Sequence, residues 1–231
     1  MSGLSHPIAN TIKQQVYQII KNQICNGDYQ PGEWLQENEL ANKLKVSRSP
    51  VREALRNLAS DGLVIEVPNK GVFVKKITPK DIEDIFDLRV MLESYAIQKS
   101  LTHLTNEKKK ALLEYVSELK RTHYDSNLEQ YIEIDSKLHK MIISLSGNSL
   151  VESTYEKVSS MFQQFRIYSL TGQQRFDESV REHRDIVHHI LMGNVIEANQ
   201  TNKIHLELAK GKILEYMAGQ EATSKVAQEK A

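Results

Sequence analysis

Two helix patterns that lie only two residues apart constrain the fold of this chain most strongly. The first covers residues 37–44, and the second covers residues 47–60. Ser47 is a suitable N-cap, and Pro50 falls in the first turn, where its missing N–H costs nothing. The apolar residues have the spacing of two helices packed at a steep angle: Leu40, Ala41, Leu44, Val46, Val51, Leu55 and Leu58. The segment is therefore predicted to be a helix-turn-helix.

Polar side chains at the start and along one side of the second helix are predicted to point outward: Ser47, Arg48, Ser49, Arg52 and Arg56. Arginines beside small hydroxyls at a helix N-terminus suit phosphates and guanine edges in a DNA major groove. Residues 63–67 and 72–76 are rich in β-branched side chains and enclose a turn, as in a wing. Asn69, Lys70 and Gly71 in this turn are candidate DNA contacts, although a solvated turn explains them too. The prediction is a winged helix-turn-helix that binds double-stranded DNA.

This stretch resembles the GntR family of bacterial transcription regulators over residues 10–76, without a gap. The resemblance is carried by Pro31-Gly32-Glu33-Trp34-Leu35, Glu39-Leu40-Ala41, Val46-Ser47-Arg48-Ser49-Pro50-Val51-Arg52-Glu53-Ala54-Leu55, Leu58, Asp61-Gly62-Leu63-Val64 and Lys70-Gly71-Val72. Lys45 departs from the pattern, because the family commonly has glycine at this turn. A left-handed lysine there would cost something like 1 kcal/mol.

Length and charge agree with a DNA-binding unit joined to a second domain. The chain has 231 residues, which favours two domains of ordinary size. Residues 1–78 hold 10 Lys+Arg against 7 Asp+Glu, a net of +3, and the remainder holds 20 against 23, a net of −3. A basic head on an acidic body suits DNA contact through one end. A single cysteine, Cys25, with no membrane-span or signal-peptide pattern, predicts a cytoplasmic protein.

The second domain is predicted to be all-helical, so the fold class is mainly α. Thr78, Pro79 and Asp81 have the pattern of a capped helix start. The breaks predict six helices at about 80–102, 105–124, 127–146, 149–170, 173–193 and 194–217. The predicted divisions are a winged helix-turn-helix at 1–76, a linker at 77–80, a helical effector, metal-binding and dimerisation domain at 81–218, and a flexible tail at 219–231.

Four polar residues fall where the helical core should be. Asp135 and His139 lie four apart on one apolar stripe, so their side chains are one turn from each other. His183 lies within the stripe of the fifth helix, and His205 lies among small residues in the sixth. One carboxylate and three imidazoles suit a borderline divalent metal. A hydrogen bond between Asp135 and His139 in a polar core network explains that pair equally well.

An all-helical domain behind a GntR-type head resembles the FCD group, the FadR-like branch of the family. Many members bind a metal through an Asp-x-x-x-His pair and two later histidines, which match Asp135, His139, His183 and His205. Six helices rather than seven favour the VanR-type subdivision. The resemblance implies a divalent metal, for which zinc is preferred and nickel or manganese also fits.

The FCD pattern also has an arginine early in its first helix, which matches Arg89. A guanidinium facing the cavity could bind a carboxylate through two parallel hydrogen bonds. A pair between Arg89 and Glu93 on the helix surface is the alternative. Arg166 and Asn202 are further candidates for effector binding.

The sequence as a whole predicts a transcription regulator, a repressor, rather than an enzyme, and no catalytic residue is assigned. A homodimer on a palindromic operator is expected, because one recognition helix contacts too few bases. A small carboxylate metabolite at the metal site would control operator affinity. The alternatives are a purely structural or sensed metal with no organic effector, and a metal-dependent hydrolase fused to a DNA-binding head.

Overall fold

The computed structural model describes residues 11–229, with side chains described up to residue 220. The chain divides into two compact units between Ile77 and Thr78. The irregular arm predicted at residues 1–9 lies outside the described residues. Among the described helices, none is long and apolar enough to span a membrane.

The first unit packs three helices against a small antiparallel sheet. In chain order its elements are α1 (Ile12–Cys25), β1 (Trp34–Leu35), α2 (Glu37–Leu44), α3 (Arg48–Ser60), β2 (Val64–Val67) and β3 (Gly71–Val74). The strand order is β1-β3-β2, with Trp34 paired to Phe73 and Ile65 paired to the same Phe73 from the other side. Strand β1 was not predicted, because two residues are too short to show an alternating pattern. The unit is a winged helix-turn-helix.

The turn between α2 and α3 differs in one respect from the sequence prediction. Lys45 is left-handed, with φ of 54°, as its place at the C-terminus of α2 requires. Ser47 does occupy the N-cap of α3, but its hydroxyl accepts no hydrogen bond from the first turn. The predicted hydrogen bond to the Ser47 hydroxyl is therefore wrong. The backbone N–H in the first turn of α3 that it would have capped is left for another acceptor.

The second unit is built from six α-helices, with no strand among its described residues. They are α4 (Pro79–His103), α5 (Asn106–Leu119), α6 (Tyr124–Ser144), α7 (Ser149–Met161), α8 (Gln173–Met192) and α9 (Val195–Glu229). The capping box at the start of α4 forms as predicted, since Thr78 accepts from the Asp81 N–H and Asp81 accepts from the Thr78 N–H. The mainly helical fold class is confirmed.

Two helix ends differ from the predicted ones. The helix predicted at 149–170 ends at Met161, and a 3-10 helix covers Gln163–Leu170. Phe162, between them, has φ of −111° and a fully buried ring. Helix α9 continues to Glu229, beyond the end predicted at residue 217. Ala, Gln, Glu and Lys, which have high helix propensity, are common in this last part of the sequence.

The core of the second unit combines an apolar cluster with buried polar side chains. Leu112, Tyr131, Leu138, Phe176 and Ile186 belong to its apolar part. The buried polar side chains on α4, α6, α8, α9 and the 3-10 helix include Arg89, Glu93, His139, Arg166, Arg175, Ser179, His183, Asn202 and His205. Because buried polar groups are costly unless they are paired, this group marks the part of the unit that packing alone does not explain.

We expect Lys45→Gly to raise the free energy of unfolding of the first unit. A left-handed non-glycine residue costs about 1–2 kcal/mol, and the greater chain entropy of glycine removes about 0.4–1 kcal/mol of the gain. The net increase should be about 0.5–1 kcal/mol in urea denaturation followed by circular dichroism. The control Lys43→Gly, inside α2, should lower stability by about 1 kcal/mol. A loss of stability in Lys45→Gly would contradict this account of the turn.

Candidate functional site

The N-terminal half of α3 carries two arginines that the sequence predicts to contact DNA. Arg52 makes two hydrogen bonds to the Glu37 carboxylate of α2, with Nε–Oε1 and Nη2–Oε2 distances of 3.0 and 2.9 Å. Arg48 Nη2 lies 3.4 Å from the same carboxylate. The hydrogen bonds from Arg52 lower the pKa of Glu37, which keeps it ionised. Glu37, which the sequence did not single out, thus holds both guanidiniums beside the N-terminus of α3.

The other predicted DNA contacts lie at the surface of the same unit. The exposed ones are Ser47, Ser49, Arg56, Asn69 and Lys70. Gly71 is half-buried with φ of +108°, and a Cβ there would lie 2.5 Å from Trp34 Nε1. Glycine is therefore required at this point of the wing. The DNA contacts themselves stay predictions, and the geometry leaves the side chains accessible for them.

Four side chains from three helices converge inside the second unit. Asp135 and His139 come from α6, His183 comes from α8 and His205 comes from α9. One ligand atom from each lies within 4.8 Å of the other three. The histidines are buried, and the Asp135 side chain is 14% exposed. The structure thus brings together all four residues that the sequence predicts as metal ligands.

The distances among the ligand atoms of Asp135, His139 and His183 are close to those around a single ion. His183 Nε2 lies 3.0 Å from Asp135 Oδ1 and 3.3 Å from His139 Nε2. His139 Nε2 lies 3.6 Å from Asp135 Oδ1, which is too long for the direct hydrogen bond considered as the alternative. Two ligands at about 2.05 Å from a tetrahedral zinc ion are about 3.3 Å apart. The cluster therefore needs only small adjustments to hold a metal.

Two of the imidazoles are oriented by carboxylates, of which Glu93 is buried and Glu182 is partly buried. His139 Nδ1 lies 2.9 Å from Glu93 Oε2, and His205 Nδ1 lies 2.7 Å from Glu182 Oε2. A proton on each Nδ1 satisfies these contacts and leaves Nε2 as the free nitrogen. Metal-binding histidines usually have such a partner, because it fixes both the tautomer and the ring orientation.

The third imidazole is oriented by a hydroxyl chain. His183 Nδ1 lies 3.0 Å from the Tyr131 oxygen, and the Tyr131 hydroxyl donates to Ser179 Oγ at 2.7 Å. This chain is satisfied when His183 Nδ1 donates to Tyr131, which again leaves Nε2 free. All three histidines therefore direct Nε2 toward the cluster, and these are the nitrogens that a borderline divalent ion would bind after displacing any proton there.

Strong charge interactions keep the carboxylates of this region ionised. Burial opposes ionisation of Glu93, but the charges on His139 and Arg89 outweigh it and lower the pKa to about 2. Burial likewise opposes ionisation of Glu182, and the hydrogen bond from His205 and the ion pair with Arg175 lower the pKa to about 2. A metal ion would add its positive charge to a region that already holds anions.

Arg89 and Arg166 pair with different carboxylates, and both guanidiniums lie beside the same aromatic ring. Arg89 Nε donates to Glu93 Oε1 at 3.1 Å, so the pair considered as an alternative forms, but inside the unit rather than on the helix surface. Arg166 Nη1 donates to Asp135 Oδ2 at 2.5 Å. Both guanidinium carbons lie close to the Phe162 ring, at 4.8 and 4.7 Å from its centroid. Both arginines thus face the cluster.

A cavity of about 20 Å³ adjoins the cluster. It is lined by Phe86, Arg89, Asp135, His139, Phe162, Arg166, Ser169, Leu170, Arg175, Ser179, His205 and Ala209. Arg175, which the sequence did not single out, makes two hydrogen bonds of 2.9 Å to Glu182. Asn202 is buried and hydrogen-bonds Glu93, but it is not among the residues that line the cavity.

Sequence reasoning missed these supporting residues for a definite reason. In α4 the structure buries Arg89 and Glu93 and half-exposes Leu88 and Leu92. Hydropathy assigns charged residues to the surface and would place the two leucines inside instead. The signal that could have found Glu93 is its spacing of four from Arg89, and Glu182 directly precedes His183.

We expect zinc binding to release about one proton per ion at neutral pH. His139 and His183 place their Nε2 atoms 3.3 Å apart, and two lone pairs cannot face each other there without a proton between them. Despite burial, the charges of Glu93 and Asp135 raise the pKa of His139, so it holds that proton until a metal displaces it. Calorimetric titration with zinc in buffers of different ionisation enthalpy measures the number released. Release of no proton would contradict this description of the metal-free cluster.

Comparison with known families assigns both units. Residues 12–74 match the description "Bacterial regulatory proteins, gntR family", and residues 84–208 match "FCD domain". The four clustered side chains and the three arginines lie within the second match. The exposed arginines of α3 lie within the first.

Individual relatives agree with this assignment. The HTH-type transcriptional regulator YdhC of Bacillus subtilis is 31% identical over 187 residues, which cover 80% of this chain and 84% of that protein. The HTH-type transcriptional repressor RspR of Escherichia coli is 25% identical over 175 residues, covering 76% and 77%. The Zn²⁺-bound FCD domain of TM0439 is similar with a TM-score of 0.51 and 26% identity, covering 62% of this chain and 97% of that one. This chain therefore belongs to the GntR family of bacterial transcriptional regulators, with a DNA-binding winged helix-turn-helix followed by an FCD domain.

Proposed function

We propose that this regulator is a repressor whose affinity for its operator is controlled by a small carboxylate metabolite bound beside a metal ion in the FCD domain. One observation carries the proposal. Four ligand atoms from Asp135, His139, His183 and His205 lie within 4.8 Å of one another, and buried guanidiniums line the cavity next to them. Burying charged and polar side chains together costs free energy, so a core that serves only for packing would not need such a cluster.

The metal we propose is zinc, held by the Nε2 atoms of the three histidines and by Asp135. Support comes from the donor set and from the Zn²⁺-bound state of the FCD domain of TM0439. Nickel and manganese accept the same ligands. When bound, the ion supplies two positive charges and a coordination position for an anionic oxygen. Elemental analysis of the purified protein identifies it.

The effector we propose is a small carboxylate, for which Arg89 and Arg166 are the main binding residues. Both guanidiniums are buried, line the cavity and keep a nitrogen without a hydrogen-bond acceptor among the described residues. A carboxylate can accept from such nitrogens in a charge-assisted pair. Asn202 contributes indirectly, because it contacts Glu93 rather than the cavity.

We propose that effector binding acts by population shift. The effector favours one packing of the FCD helices, and the short connection at residues 75–78, between β3 and α4, transmits the change to the DNA-binding unit. The count of six α-helices in the FCD domain supports the VanR-type subdivision. A DNA partner and the single cysteine, Cys25, support a cytoplasmic location.

A homodimer on a palindromic operator is part of the proposal. Helices α4 and α9 are antiparallel neighbours, joined by an ion pair between Lys210 and Asp87 near one end. Their outer faces carry a stripe of exposed apolar side chains: Met91, Tyr95, Leu101, Ile196, Ile204 and Leu208. An exposed apolar stripe of this length is typical of an association surface. A second copy of the chain is the partner we propose for it, since palindromic sites require two-fold symmetry.

Two other functions use the same residues. A purely structural or sensed metal would explain the four ligands but not the buried arginines with unpaired nitrogens. A hydrolase would need a general base beside the metal, and the carboxylates nearest to the histidines, Glu93 and Glu182, are already bound by Nδ1 atoms and by arginines. A regulatory acid-binding site is therefore the function that we propose.

We expect Arg48→Ala or Arg52→Ala to abolish specific DNA binding, because each variant loses a guanidinium in both half-sites of the operator. A lost contact costs about 1–3 kcal/mol, so affinity should fall by at least about tenfold. The operator can be selected from random DNA with the unmodified protein, and binding measured by fluorescence anisotropy. Arg184→Ala is a matched control, since Arg184 and Arg52 are both ion-paired and 49% exposed. Undiminished binding by both Arg48→Ala and Arg52→Ala would refute the assigned interface.

We expect the double variant His139→Ala with His183→Ala to lose both metal binding and effector response, because it removes two of the four ligands. In the unmodified protein, zinc at a hundred times its Kd should stabilise the fold by about 2.7 kcal/mol, or several degrees in Tm. A panel of organic acids should then raise Tm further only when zinc is present. Thermal unfolding with and without a chelator measures both effects.

The control for the histidine variant is His123→Ala with His188→Ala, two exposed histidines outside the cluster. This control should respond to zinc and to acids as the unmodified protein does. A shift from zinc but from no acid would favour a structural metal. A full acid response in the variant that lacks His139 and His183 would refute the site.

A further inference from the structure

Three buried arginines line the cavity beside the metal ligands. Arg89, Arg166 and Arg175 are 3%, 4% and 5% exposed, and all three contact the same cavity of about 20 Å³. A buried charge is unfavourable unless an opposite charge lies close to it. This cavity has room for about one water molecule, so an acid must open it by moving side chains, and the charges around it constrain which acid can be accommodated.

Each arginine already has one carboxylate partner. The ion-pair distances are 3.0 Å for Arg89 with Glu93, 2.5 Å for Arg166 with Asp135 and 2.9 Å for Arg175 with Glu182. Three positive and three negative charges thus balance one another. Glu178 lies 4.0 Å from Arg175 but is 34% exposed, so water screens it.

A divalent ion changes this balance. Asp135 would be its one carboxylate ligand, and that carboxylate is already matched by Arg166. The imidazoles of His139, His183 and His205 bind the ion as neutral ligands and add no negative charge. The ion therefore leaves two positive charges in a largely buried region, and no unpaired buried carboxylate among the described residues balances them.

The same arginines also retain unused hydrogen-bond donors. Arg166 Nε and Arg175 Nε have no acceptor among the described residues. Arg89 Nη2 approaches Glu93 without hydrogen-bond geometry. These three nitrogens come from different arginines around one cavity, so a ligand with several oxygens can use them better than a ligand with one carboxylate.

We propose that the effector of this site is a small acid with two negative charges, and that Arg175 is one of the residues that select it. The proposal rests on the proposed function, because it assumes that an acid binds beside the metal. A dianion neutralises both surplus charges and brings enough oxygens for the three free donors. A monocarboxylate leaves one charge unbalanced.

The test compares acids that differ only in charge. Zinc-loaded protein is titrated calorimetrically with monocarboxylic and dicarboxylic acids of equal chain length from two to six carbons, including butyrate and succinate. The dicarboxylate of at least one pair should bind about tenfold more tightly or better. Elemental analysis after titration confirms that the acid has not removed the zinc. In the metal-free protein, the preference should disappear because the proton on His139 leaves only one unbalanced positive charge there, which a monocarboxylate already neutralises.

Charge variants provide an independent measurement. Glu182→Gln retains an oxygen for His205 Nδ1 and removes one negative charge, so the ratio of dicarboxylate to monocarboxylate affinity should rise. Arg175→Gln removes one positive charge, so the ratio should fall. The double variant, Arg175→Gln with Glu182→Gln, restores the charge but not the Arg175 donor, so its ratio should rise above that of Arg175→Gln and stay below that of the unmodified protein. The comparison of acids in the unmodified protein decides the proposal even if a variant does not fold.

The outcomes distinguish failure of the dianion proposal from failure of the proposed function, a regulator controlled by a carboxylate. Equal binding within each pair of acids, or tighter binding of the monocarboxylates, would refute the proposal that the effector carries two negative charges. It would not refute the proposal that a carboxylate controls the regulator. The same preference in metal-free protein would overturn the charge argument. Binding of no acid in the series or in the broader panel would overturn both.

Discussion

The need to match every buried charge governs the structure of the FCD domain. Glu93 accepts from Arg89 on one side and from His139 on the other, and Glu182 joins Arg175 to His205 in the same way. Each guanidinium therefore reaches an imidazole through a carboxylate. Removing one member would leave a buried charge without its partner, which costs more than losing an exposed ion pair. This network fixes the histidine tautomers before any ion is present.

A few rigid helices are sufficient to place the charged side chains and the candidate metal ligands of this network. Helix α4 contributes an arginine and a carboxylate one turn apart, α6 contributes an aspartate and a histidine one turn apart, and α8 and α9 contribute one histidine each. Spacings of four place such pairs on one face of a helix. The apolar cluster around Leu138 and Ile186 then holds these faces together. Precision at the site thus comes from ordinary helix packing, and it suits a site that must distinguish between small anions.

The DNA-binding unit also has ion pairs between arginines and a carboxylate, but they lie at its surface and have a different effect. Glu37 binds Arg48 and Arg52, but all three are in contact with water, so their mutual attraction is screened and contributes little to stability. Their arrangement matters because it holds two long side chains near the N-terminus of α3, where the helix dipole already favours phosphate. A buried network provides rigidity, whereas an exposed one provides accessible positive charge.

The sequence by itself determined the helix-turn-helix, the helical second domain and the four clustered residues. Helix caps, apolar periodicity and spacings of four are local properties, and they correctly located α2, α3, the start of α4, and the Asp135–His139 pair. Tertiary structure alone decided what surrounds the cluster. Glu182 and Arg175 have no local pattern that separates them from surface residues, and the spacing of Glu93 from Arg89 fits a surface pair as well as a buried one, because a charged side chain is buried only when a partner from another helix, or one turn away, balances it. The end of α7 at Met161 and the burial of Phe162 were likewise decided by packing between helices, which propensity along the chain does not record.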